Sequence, residues 1–191
     1  REAARPGRAG LDHRTHGLRW TLERQAQPTR TSGDIDGFDL PMSALYDIAA
    51  PAKINLFLHV VGRMPNGYHA LQSVFMLVDW CDRLHIETST NPAISRHDLG
   101  PPLPANDLCV QAAKALQTAS GVSWGAHITL DKRLPAQAGL GGGSSDAAST
   151  LMALNRLWQL HWPLERLLPI ALGLGADVPF FLSGQSAWVE G

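Results

Sequence analysis

The chain has 191 residues, a formal net charge of -1 and 45% hydrophobic residues, the composition of one globular domain with room for part of a second. A charge this close to zero excludes the broad basic surface that nucleic acids and anionic membranes attract, and no apolar run approaches the ~18 residues of a membrane-spanning helix. The two cysteines, Cys81 and Cys109, are too few and too distant for a disulfide framework and suit a reducing cytoplasm. The scattered histidines form no HExxH or CxxC-type pairing, so the sequence offers no protein-built metal site.

Residues 1–41 hold seven Arg and no Lys, with Gly, Pro, Thr and Gln and few large aliphatics. This composition predicts a disordered extension. Met42 stands just ahead of the first strand-like pattern, so the natural start is expected at Met42, with residues 1–41 as upstream sequence. Tyr46, Ile48 and Ala50 alternate with smaller or polar residues. After Pro51, so do Ile54, Leu56, Leu58 and Val60, and period two predicts strands. Gly62 to Gly67 is turn chemistry. Val74–Trp80 and Arg83–Thr88 predict two further strands, and Pro92 to Pro104 a loop. Asn106 is placed to cap a helix with Leu108, Ala112, Ala115 and Leu116 on its apolar face, ending at Gly121. A short strand is expected at Ala126–Leu130. A helix then carries Ala147, Ala148, Leu151, Leu154 and Leu157 on one side. Pro163 opens another helix, which Pro169 should kink or shorten and Asp177-Val178-Pro179 should end. The six Trp read as packing residues. Strands and helices mix without strict alternation, which predicts an α+β fold.

The stretch LPAQAGLGGGSSDAAS at 134–149 puts four glycines into five positions directly before a helix. Glycine permits positive φ and close approach of another group to the backbone. A helix N-terminus offers unpaired N–H groups and the positive end of its dipole. Together these make an anion site, most often for phosphate. Ser144 or Ser145 is placed to cap the helix or to bond a phosphate oxygen. The loop is neither a Walker A loop, because no Lys follows Gly143, nor a dinucleotide fingerprint, because Ser144 stands at the third glycine position.

The stretch PxxAGLGGGSS, Pro135–Ser145, resembles the ATP-phosphate motif of the GHMP kinases. PAKINLFLHV at 51–60, NGYHALQSVF at 66–75 and LGADVPFFLSG at 174–184 are similar to the branch of that superfamily whose substrate is a cytidyl sugar alcohol diphosphate. The resemblance covers about residues 45–191 and implies the ribosomal-protein-S5-domain-2-like α+β fold. It implies ATP binding by Pro135, Ala136, Gln137, Ala138, Gly139, Leu140, Gly141, Gly142, Gly143, Ser144 and Ser145, with Mg2+ arriving on the nucleotide. It also implies that Lys53 and Asp177 are the catalytic pair, and that Tyr68, His69 and Lys132 face the substrate. Asp177 would accept the proton of the attacking hydroxyl, and Lys53 would offset charge developing on the γ-phosphate. Asn55, two residues after Lys53, lies on the same strand face and should point into the same site. Asn106 and Asp107 fall near the nucleotide, although a helix cap is the stronger reading there. Asp146, in the first helical turn, would repel phosphate and is not assigned as a ligand.

Members of the family carry a second domain beyond this region, so residues 42–191 are expected to form the N-terminal ATP-binding domain, with an apolar surface left where the other half packs. Another GHMP small-molecule kinase, such as homoserine kinase, and a non-catalytic nucleotide-binding module remain as alternatives. The presence of both Lys53 and Asp177 favours an enzyme.

Overall fold

The computed structural model describes residues 43–63 and 69–190, with the backbone but not the side chain of His69. The readings of residues 1–41, of Met42, of Tyr68 and of most of the Gly62–Gly67 turn fall outside the described residues. The elements run β1 (Ala44–Arg63), β2 (His69–Ser89), β3 (Ile94–Asp98), α1 (Leu108–Ser120), β4 (Gly125–Asp131), α2 (Gly142–Leu157), α3 (Leu164–Leu174), α4 (Val178–Ser183) and β5 (Ala187–Glu190). This mixture is the α+β class that the pattern predicts.

The sheet is organised around β2. β1 pairs with it antiparallel along one side, from Ala44 opposite Glu87 to Arg63 opposite His69. Its other side is shared, with β4 pairing at Arg83–Ser89 and β5 at Gln72–Phe75. β3 lies beyond β4 and parallel to it. α2 is the central helix, packed against α1, α3 and α4 as well as against β1 and β2. Residues Ser145 to Leu151 are therefore buried without interruption around the helix, which a helix lying on the surface could not achieve. The core joins Leu84, Ile86, Ile128 and Leu130 of the sheet to Leu116, Leu151, Leu154 and Leu157 of the helices.

Several predicted boundaries move. The two strands expected on either side of Pro51 are one strand, and so are Val74–Trp80 and Arg83–Thr88. Among the described strands β1 pairs with β2 only, and Pro51 sits where the β1–β2 register shifts, before Ala52. A proline without an N–H is tolerated at such a bulge. The bulge has a second effect. Ala52 and Lys53 are buried consecutively, which strict alternation forbids.

β3 falls inside the expected loop. Of its three inward positions only Ile94 is aliphatic, with Arg96 and Asp98 at the other two, so it lacks the apolar alternation of a strand. It is held by parallel pairing with β4 and by the buried Arg96, which bonds Asp98, Asp107 and the carbonyls of Leu103 and Pro104. The cap of α1 is Asp107, not Asn106. Its Oδ1 accepts from the Val110 N–H at 3.1 Å, and Gly121 ends the helix at φ 72°.

Pro169 neither breaks nor shortens α3, which runs through it to Leu174 and ends at Gly175. The proline is exposed, as is Glu165, whose carbonyl is the one that loses its helical partner. Asp177-Val178-Pro179 does not end that helix but begins α4, with Pro179 in its first turn. The tryptophans divide. Trp158 is buried in the core, Trp162 is stacked by Arg166 at 3.6 Å, and Trp80 and Trp188 are about half exposed. On the outer half of β1, Leu56, Leu58, Val60 and Val61 are exposed as well.

Replacing Pro169 with Ala restores one helical N–H without removing a buried side chain. The variant is expected to be more stable by about 1–2 kcal/mol in urea unfolding, the gain in helix propensity less the lost chain stiffness.

Candidate active site

The loop between β4 and α2 is fixed at both ends. At its start, the Oδ1 of the fully buried Asp82 accepts from the N–H groups of Arg133 at 2.6 Å and Leu134 at 2.7 Å. At its end, the Lys53 N–H donates to the Leu140 carbonyl at 2.9 Å, tying the loop to β1. Gly139 and Gly141 both take positive φ, at 75° and 70°. A Cβ on Gly141 would lie 2.8 Å from the Phe181 ring and 3.2 Å from Cγ of Lys53. A Cβ on Gly142 would lie 3.0 Å from Nζ of Lys132. At Gly141 the positive φ and the Phe181 ring together require glycine, and at Gly142 the fit against Lys132 and Leu134 is tight, in addition to any approach of a ligand from above.

α2 starts at Gly142, with Gly141 at its N-cap and no side-chain cap bond. Neither serine caps the helix. Ser145 donates its backbone N–H to the Gly141 carbonyl, and its Oγ is buried without a hydrogen-bond partner. The N–H groups of Gly142, Gly143 and Ser144 precede the first helical bond and belong to the anion-attracting end of the helix. They border a cavity of about 420 Å3, floored by the loop from Pro135 to Ser144. Leu103, Asn106, Asp107 and Leu108 line it as well. Asn106 and Asp107 thus line it, while Ser145 does not border it.

Lys53, Asn55 and Asp177 come together on the β1 side of Gly141. Lys53 Nζ donates to Asn55 Oδ1 at 2.7 Å, lies 3.8 Å from Asp177 Oδ2 and stands 4.3 Å from the centre of the Phe75 ring. Lys53 is 6% exposed, whereas about a third of the Asp177 side chain is open to solvent. A buried ammonium thus meets a carboxylate that is still reachable, the pairing that proton abstraction beside a transferring anion needs. Gly141 borders both this group and the cavity, so the two sites share one wall.

Lys132 lines the cavity and is also engaged beneath the loop. Its ammonium donates to Asp82 Oδ2 and, at 2.6 Å, to Asp146 Oδ2, so two of its three N–H groups are bound to carboxylates rather than free for a substrate phosphate. Burial lowers the affinity of Lys132 for its proton, but Asp146 and Asp82 outweigh it and hold the lysine above its usual range. Burial pushes Asp146 up to about 8, with Lys132 opposing and Asp82 adding to the shift. Asp82 was not legible as part of the site. Its sequence neighbours Asp79, Arg83, His85 and Glu87 are also polar, so nothing in the pattern of β2 singles it out. The side chains of Tyr68 and His69 lie outside the described residues. Among the described residues no three His, Cys, Asp or Glu converge on a metal position, and no helix there is long and apolar enough to cross a membrane.

Residues 107–185 match the family described as GHMP kinases N terminal domain. The chain carries a GHMP kinase N-terminal domain. Over 150 residues it is 67% identical to the 4-diphosphocytidyl-2-C-methyl-D-erythritol kinase of Acidovorax sp. (strain JS42), covering 78% of this chain and 53% of that protein. The enzyme of the same name from Polaromonas naphthalenivorans (strain CJ2) is 64% identical over 158 residues, covering 79% and 53%. The chain spans about half the length of these curated relatives. A crystal structure of 4-(cytidine 5'-diphospho)-2C-methyl-D-erythritol kinase is 44% identical and superposes with a TM-score of 0.64, covering 75% of this chain and 51% of that one.

A Gly141→Ala variant of this domain must accommodate both a strained φ and a Cβ against Phe181. It is expected to lose about 2 kcal/mol or more of stability in urea unfolding, and a midpoint within experimental error of the parent would contradict the packing described.

Proposed function

We propose that the chain belongs to an ATP-dependent kinase that moves the γ-phosphate of ATP to the 2-hydroxyl of 4-diphosphocytidyl-2-C-methyl-D-erythritol, in non-mevalonate isoprenoid precursor synthesis in the cytoplasm. The observation that carries the reading is the Lys53–Asn55–Asp177 group set against the glycine-rich loop, with Lys53 bonded through its own N–H to Leu140 of that loop. The names of the relatives from Acidovorax and Polaromonas supply the substrate.

In this reading the phosphates of ATP lie against the N–H groups of Gly142, Gly143 and Ser144, and the rest of the nucleotide fills the cavity toward Asn106 and Leu108. Asp177 accepts the proton of the attacking hydroxyl. Lys53, held by Asn55 and the Phe75 ring, stands where negative charge grows on the transferring group, and Asn55 fixes the direction of its ammonium. Mg2+ arrives with the nucleotide and neutralises phosphate charge when bound. Tyr68 would stack on the cytosine and His69 would bond its edge.

The test is turnover of ATP with the cytidyl substrate, measured on the chain and on a chimera joining it to the C-terminal half of the Acidovorax relative. In the active form Asp177→Asn should lower kcat by about 10²-fold or more, with the ATP dissociation constant changed by less than about threefold. Near-normal kcat in that variant removes Asp177 as the base. Turnover of homoserine instead of the cytidyl substrate retains the kinase and discards the substrate.

A further inference from the structure

Asp82, Lys132 and Asp146 form a buried group of two carboxylates and one ammonium beneath the glycine-rich loop. The two acids are not equivalent. Asp82 is satisfied on both oxygens, by two backbone N–H groups on Oδ1 and by Lys132 on Oδ2. Asp146 receives Lys132 on Oδ2, while its Oδ1 is buried with no hydrogen-bond partner. Asp146 is 2% exposed and, with Lys132, borders the cavity at the first turn of α2. An ionised carboxylate with one bare oxygen, shut away from water beside a second carboxylate, is an expensive arrangement. Protonation removes the charge and with it the larger part of that cost.

With the proton on Asp146, the charges of Asp82, Lys132 and Asp146 sum to zero; without it they sum to -1. That difference lies beneath the N–H groups that attract anions, since Lys132 Nζ stands 3.0 Å from where a Cβ on Gly142 would be. We propose that Asp146 is a proton-coupled positioning residue for the nucleotide: the loop receives phosphate with Asp146 protonated, and an ionised Asp146 opposes it. The inference rests on the reading of the loop as the ATP-phosphate cradle.

The groups that face Asp146 come from β2, the end of β4, α1 and α2. Lys132, at the end of β4, is held charged above its usual range by the two acids, which outweigh its burial. Asp82 comes from β2 and is fully bonded. From α1, the Cys109 thiol is raised well above its ordinary value by burial, then by Asp146 and Asp107, and stays neutral. Asp107 is the α1 cap and pairs with Arg96. Within α2, Thr150 Oγ donates to the Asp146 backbone carbonyl and not to its carboxyl. Burial and Asp82 place the Asp146 proton within reach of neutral to mildly alkaline solution, near 8. A polyphosphate above the loop raises that affinity further. The sign follows: binding takes up protons, and affinity falls as pH rises through the range of the free protein.

The experiment is calorimetric titration of the chain with ATP and Mg2+ from pH 7.5 to 9.5, in pairs of buffers that differ in ionisation enthalpy. Over this window the terminal phosphate of ATP is already ionised, since phosphoryl groups lose their second proton near ~6. The expected result is net proton uptake largest near the middle of the range, and a dissociation constant that rises roughly tenfold across it. Asp146→Asn keeps the shape and an oxygen for Lys132 but cannot ionise, and it should bind with a flat pH profile and no such uptake. ATP binding by the parent chain without proton uptake or pH dependence overturns the proposal while leaving the cradle intact. So does an Asn variant with the parent's slope. Absence of ATP binding at every pH in the parent chain overturns the cradle reading itself, and the proposal with it. The proton count on the parent chain requires no variant to fold.

Discussion

The glycine-rich loop hangs on one carboxylate. Asp82 lies at the centre of β2 without contact with solvent, a costly place for a charge unless every lone pair is met. Arg133, Leu134 and Lys132 meet them, and all three stand immediately before the loop. Because β2 carries β1 along one side and β4 and β5 along the other, the loop takes its position from the stiffest element of the sheet. A segment rich in glycine is thereby held still at its first residues and at Leu140, and its backbone freedom is spent on reaching unusual dihedral angles rather than on motion.

The second constraint is the register shift after Pro51. In an uninterrupted strand Ala52 and Lys53 would face opposite sides of the sheet, and only one could be buried with the helices. The irregularity allows both to be buried, and so puts an ammonium between the Phe75 ring, Asn55 and the approach to Asp177. A proline that looks like a strand break in the sequence is thus part of the device that aims the lysine.

Features that depend on residue type within a short window were legible. The glycines, the start of α2 near them, the Lys53–Asn55 pair two residues apart, the Gly121 terminus and the α+β class all belong to this kind. Features set by partners far along the chain were not. Lys132 reads as a free cation until Asp82, fifty residues earlier, is seen beside it. β3 reads as loop because its structure comes from β4 and from the ion pairs of Arg96. Pro169 reads as a kink or an early end because the sequence does not show that the proline stands on the exposed side of α3. Asp146 looks misplaced beside a phosphate loop, and only its burial against a second acid accounts for it. Neither Trp80 nor Trp188 announces its exposure, since an aromatic in a strand reads the same at an edge as in a core.

Cys109 adds a practical property. It is buried among the residues that pack α1 against α2, and its thiol is held neutral by its surroundings. Alkylating reagents attack the thiolate and need room to approach, so the folded domain protects this sulfur twice over. Modification must wait for the two helices to part, an event whose frequency reflects local stability rather than intrinsic reactivity. The same pair of helices contributes Leu108 and Asp146 to the lining of the cavity. The sulfur is therefore a native clock for the opening of the cavity's walls, running slower the more firmly any occupant holds them together.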